Sequence, residues 1–182
     1  MSGYSESDFF VVYHGTTSLI NSIDVAKGKP YKDFGRGFYV TRDYSHARSI
    51  ATRNKILEKE RYGQNAKAYV YTYTLDMSKT QRFTTKEFTV ADIEWMRFIL
   101  SNRCVRGKNH DYDIVFGPTA NDDTSLVLKS YFSGLYGDIE SEKALQLALD
   151  MIEAENLPAQ IYFGSNEAAT VCLTQKGTVR LV

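Results

Sequence analysis

The chain has 182 residues, 43% of them apolar, with 22 Lys and Arg balanced by 22 Asp and Glu. That length suits a single domain over residues 1–182 with a substantial buried core, and zero net charge argues against a dedicated nucleic-acid binder, which needs a basic surplus. The longest apolar run is the five residues 9–13, so nothing is expected to span or anchor in a membrane.

In chain order, residues 9–13 read as a short buried strand that turns at Gly15. Residues 24–37, rich in Lys, Gly and Asp, predict a loop, and 37–41 a short aromatic strand. Helical spacing of Ala47, Ile50, Ala51, Asn54 and Leu57 predicts a helix over 44–61, with Asp43 as its N-cap and Gly63 as its stop. Residues 68–75 alternate as AYVYTYTL, a strand with Tyr69, Tyr71 and Tyr73 on one face. A helix is expected over 91–104 with Ile93, Met96 and Leu100 buried, then a strand over 112–116 that stops at Gly117-Pro118. Beyond them come a helix from the Asn121-Asp122-Asp123 cap to 132, a helix over 140–155, a strand over 160–163, a short helix over 167–173 and a closing strand over 178–182. Strands and helices mix without strict alternation, so the expected class is α+β.

Cys104 and Cys172 lie far apart, and with three scattered His there is no metal-ligand spacing, so no metal is expected. The first residues carry no basic stretch followed by an apolar one, and the expected location is cytoplasmic with reduced thiols. Charge is uneven: residues 1–91 hold 14 basic and 9 acidic side chains, residues 92–182 hold 8 and 13. A basic first half suits a phosphate-bearing ligand, and equally a solvated surface.

Two segments combine chemistry-bearing residue types. Tyr13-His14-Gly15-Thr16 ends an apolar strand and offers an imidazole, an unhindered main chain and a hydroxyl in a small volume. Phe34-Gly35-Arg36-Gly37-Phe38-Tyr39-Val40-Thr41 puts a glycine bend before a strand whose Phe38 and Tyr39 face opposite ways. Each also has a purely structural reading, as a strand-end histidine and as an aromatic packing pair.

Together the segments resemble the ADP-ribosyltransferase superfamily, in the branch of diphtheria-like toxins and poly-ADP-ribose polymerases. There a first strand carries His-Gly-Ser/Thr and a later glycine-led strand carries an aromatic followed by Tyr. Within it the chain looks like an uncharacterised bacterial family, whose four phrases stand here as Tyr13-His14-Gly15, Asp33-Phe34-Gly35-Arg36-Gly37-Phe38-Tyr39-Val40-Thr41, Tyr112-Asp113-Ile114-Val115-Phe116-Gly117-Pro118-Thr119-Ala120-Asn121-Asp122, and Gln160-Ile161.

The resemblance implies a split, strongly bent β-structure with flanking helices and NAD as substrate. His14 would bond the adenosine ribose with Thr16 beside it, the Gly15 main chain would hold the carboxamide, and Tyr39 would stack on nicotinamide. Gly37 and Phe38 would line the same cleft. Arg36, and secondarily Arg42, would meet the diphosphate. The superfamily's third catalytic position, usually Glu, falls on Gln160, with Glu167 as second choice. A Gln can bind a ribose hydroxyl but brings no negative charge to a developing cation, a difference on the order of 3 kcal/mol for one oriented group. The implied reaction is ADP-ribose transfer to an unknown protein or nucleic-acid acceptor, and the resemblance extends to a role as a bacterial toxin with a protein inhibitor. The alternatives are an NAD or ADP-ribose binding module without turnover, an RNA-end-processing member of the same fold, and a scaffold whose aromatics are all core.

Overall fold

Alternation along the tyrosine-rich segment builds the first sheet. In the computed structural model, which describes residues 8–104, 110–120, 122–139, 141–152 and 157–182, strand β3 (Ala68–Asp76) lies between β1 (Phe9–Thr16) and β7 (Leu173–Leu181), antiparallel to both. The register sets Val12 opposite Tyr73, His14 opposite Tyr71 and Thr16 opposite Tyr69, so these share one face. The closing strand starts earlier than residue 178, with a bulge inside it. Thr72 pairs Gly177 and Tyr73 pairs Gln175, leaving Lys176 as the extra residue.

The second sheet has the order β2 (Phe38–Val40), β6 (Ala159–Phe163), β5 (Ile114–Pro118), β4 (Thr85–Glu87). Its pairs are antiparallel except β4 with β5, which helix α3 (Ile93–Cys104) connects as a parallel crossover. Among the described residues the sheets join at one bridge, where Tyr13 N donates to Thr41 O at 2.7 Å and Thr41 N donates to Tyr13 O at 2.9 Å.

Three cores follow from these faces. Helix α1 (Tyr44–Tyr62) covers the outer face of the first sheet, with Ala47 and Ala51 against Ala68 and Val70. Its expected cap is present: the Asp43 carboxylate accepts from Ser45 N at 2.7 Å and His46 N at 3.2 Å, and Gly63 closes it with a left-handed φ of 64°. Between the sheets, Val12, Tyr71 and Tyr73 meet Phe38, Val40 and Phe163, closed off by α6 (Asn166–Cys172). The far face of the second sheet, with Val115 and Tyr162, packs under α3, α4 (Asp122–Phe132) and α5 (Glu142–Asp150), around the fully buried Trp95. Helix α2 (Met77–Thr80) and strand β4 have no counterpart among the expected elements. Helix α5 is shorter than expected, while Asn121, residue 140 and residues 153–156 lie outside the described residues, as do the side chains of Asp122 and Asp123. The class is α+β, as the mixed pattern implied. Among the described residues no helix is long and apolar enough to cross a membrane.

Candidate functional site

Past the Tyr13–Thr41 bridge, β1 and β2 separate, and the next contact is made by a side chain. His14 Nδ1 lies 2.6 Å from the carbonyl oxygen of Tyr39, and its ring stacks on Phe38 at 4.3 Å between centroids. A carbonyl only accepts, so Nδ1 carries the hydrogen and Nε2 is left as the acceptor. Burial pushes the His14 pKa down to about 4, and the imidazole is neutral at physiological pH.

This has a measurable consequence. As pH falls from about 6.5, the unfolded chain takes up a proton that folded His14 does not. The stabilisation is therefore complete above that pH and is lost on acidification to about 4, at a cost of at most about 3 kcal/mol. We expect His14→Gln to flatten the acid limb of unfolding free energy against pH; parallel limbs in the two proteins would reject a neutral, partly buried imidazole.

Gly15 has its own packing reason. A Cβ there would stand 1.8 Å from the Ala47 carbonyl oxygen, so α1 crosses directly over it. Thr16 Oγ1 accepts from Ser18 N at 3.1 Å, closing the turn that ends β1, and Thr17 donates to Glu58 of α1.

Phe38 and Tyr39 do face opposite ways. Phe38 is 6% exposed and belongs to the inter-sheet core, edge-on to Tyr73 at 5.7 Å, which corrects its expected place in a cofactor cleft. The Tyr39 ring joins the helix-covered core, edge-on to Tyr162 at 5.2 Å and stacked near Phe34 at 6.5 Å. Its hydroxyl donates to Gly35 O at 2.6 Å and accepts from Phe34 N at 3.2 Å, and burial raises its pKa well above the usual phenol range. Gly35 adopts φ 86°, a left-handed turn open to glycine, and so brings that carbonyl round to Tyr39. Gly37 sits against the Tyr162 ring.

The two arginines expected to meet the diphosphate each have a contact within the chain. Arg36 Nη1 donates to Ala26 O at 3.1 Å, and the Arg42 guanidinium lies 3.6 Å over the Phe10 ring.

Gln160 is buried and opposes Gly117 across β5 and β6. Its Nε2 donates to Asp33 Oδ2 at 2.8 Å. Asp33, 5% exposed, is the hub of this region. Oδ1 accepts from Arg103 Nη2 at 2.6 Å and Nε at 2.9 Å, and Oδ2 also accepts from Ala120 N at 2.9 Å and Thr119 Oγ1 at 3.4 Å. Arg103 Nη1 further donates to Ser125 Oγ at 3.2 Å.

The three expected site residues thus lie on neighbouring strands, but their side chains do not meet. His14 shares the inter-sheet face with Phe38, whereas Tyr39 and Gln160 lie on the opposite face of the second sheet. The expected convergence is corrected by strand alternation: the Tyr13–Thr41 register puts His14 beside Phe38. Glu167 opens α6 in its first turn. An open groove of about 560 Å³ runs along α1, lined by Ser45, Arg48, Ser49, Thr52 and Arg53 among others, and not by these three. Among the described residues, no cluster of His, Cys, Asp or Glu is arranged to hold a metal ion.

The Asp33–Arg103 pair escaped the sequence reading. Asp33 opens the glycine-aromatic phrase, but its partner Arg103 is 70 positions away, in the last turn of α3.

No curated protein and no solved structure matches the chain. A family model described as "Protein of unknown function (DUF3990)" matches residues 10–174, nearly the whole length, and the chain belongs to that family.

Proposed function

We propose that this protein binds NAD and transfers its ADP-ribose group to an acceptor. The bond between nicotinamide nitrogen and ribose C1′ would break, with the electron pair leaving on nicotinamide. An acceptor nucleophile would then bond C1′ and release its proton. The main support is His14: its Nδ1–H is held by the Tyr39 carbonyl, its ring is neutral, and Nε2 can accept from a sugar hydroxyl at the fork between β1 and β2. The four phrases that resemble the superfamily supply the substrate class.

A second reading, NAD binding without turnover, is favoured by one observation. Gln160 stands where an acid is usual, and the carboxylate it touches is already balanced by Arg103.

Cell extract incubated with labelled NAD and the purified protein separates the readings by nicotinamide release and by mass spectrometry of modified acceptors. Transfer predicts release that falls on the order of 100-fold in His14→Ala. Heat stabilisation by NAD with no nicotinamide formed selects the binding reading. Neither stabilisation nor release rejects both.

A further inference from the structure

Asp33 has an arrangement that packing alone does not require: one buried carboxylate receives a guanidinium on one oxygen and a side-chain carboxamide on the other. An ionised carboxylate only accepts, so the Gln160 atom facing it is Nε2. The flipped amide would set Oε1 against Oδ2 at the same 2.8 Å, oxygen to oxygen. The amide orientation is therefore fixed from behind, and Oε1 turns away from Asp33. Arg103, bonded through two nitrogens, and the Ala120 N–H keep the carboxylate itself from rotating.

We infer that Asp33 is a positioning residue: it orients Gln160 so that an acceptor oxygen is presented to a hydroxyl-bearing ligand, as a carboxylate at that position would present one. This inference rests on the NAD reading for the identity of the ligand, but not for the orientation itself. It also explains how a Gln can stand in a position that calls for an acceptor. A free carboxamide could offer either end to a sugar hydroxyl, whereas this one is held in a single orientation.

Two measurements on the full chain test it. Nitrogen-15 NMR of the Gln160 side-chain amide should show a displaced, slowly exchanging proton in the wild type, moving to ordinary values in Asp33→Asn. A wild-type signal already at ordinary values, or one unmoved in the variant, overturns the inference. The second is calorimetric titration with NAD. Asp33→Asn frees the amide to flip, and Gln160→Glu sets two carboxylates face to face, so each alone should weaken NAD binding about tenfold. The exchange variant Asp33→Asn/Gln160→Glu restores one donor facing one acceptor between the two side chains and keeps an oxygen outward, though its amide nitrogen cannot accept from Ala120 N. It should therefore recover part of the lost affinity and bind at least about threefold more tightly than either single variant. An exchange variant no better than either single change also overturns the inference. If Asp33→Asn does not fold, Asp33→Asn/Arg103→Met removes both charges and serves in both measurements. Wild-type protein that shows the displaced amide signal yet no heat with NAD refutes the proposed function and still supports the orienting role.

Discussion

Gly15→Ala is expected to be strongly destabilising, with the closest main-chain clash of any glycine among the described residues. The added Cβ would stand 1.8 Å from the Ala47 carbonyl oxygen, 2.8 Å from its carbon and 3.1 Å from Ala51 N. All of these are main-chain atoms of α1, so no side chain can rotate out of the way. The helix itself would have to lift from β1 and β3, opening the core of Ala47, Ala51, Ala68 and Val70, each of which is fully buried. Overpacking of this kind costs about 3 kcal/mol at its upper end, which in a domain of this size lowers Tm by roughly 10 °C. Gly177→Ala is the matched control, because nothing lies within 4 Å of the Cβ it would add, and it should change stability by less than about 0.5 kcal/mol. Thermal unfolding of the two variants beside wild type decides the point. Equal melting of Gly15→Ala and Gly177→Ala would mean that α1 does not cross the first sheet at Gly15.

The contrast explains what could be read from the sequence. Helix α1 announced itself through local chemistry, a capping Asp43 and a terminating Gly63 around helical spacing, and both act within a few residues of where they stand. The alternation of β3 was equally local. Strand β4 carries the residues Thr85, Lys86 and Glu87, with no apolar alternation to betray it, and exists because β5 offers it a parallel edge. Helix α2 is a single turn capped by Asp76, too short for a periodic signal. At the candidate site, the opposition of Phe38 and Tyr39 followed from strand alternation alone. Which of the two faces His14 would share depends on the Tyr13–Thr41 register between different sheets, and that is decided by tertiary packing. The same limit hid Asp33, because its partners Arg103, Ala120 and Gln160 come from distant segments.

Arg103→Met should then destabilise the protein far more than its place on a helix end suggests. The change keeps an apolar stem but removes both donors on Asp33 Oδ1 and the bond to Ser125. The Asp33 carboxylate, 5% exposed in the wild type, is still bonded through Oδ2 but loses its counter-charge. Breaking a buried pair from one side costs about 3–5 kcal/mol. The Arg103 side chain is 20% exposed, so partial solvent screening sets the expectation near the lower end, about 3 kcal/mol. Removing both charges together, in Asp33→Asn/Arg103→Met, leaves no buried ion behind and should recover most of that loss. Urea unfolding of the single and double variants completes the cycle. A coupling of 1 kcal/mol or more, on the order expected for residues within one network, marks the two as a unit. Salt supplies an independent check. The exposed Lys86–Glu94 pair should weaken as ionic strength rises, whereas the Arg103–Asp33 contribution should hardly change, because water and ions reach it poorly. A double variant as unstable as the sum of its parts, or an Arg103→Met deficit that vanishes at high salt, would show that Asp33 is held by its neutral donors and that the guanidinium is surface charge.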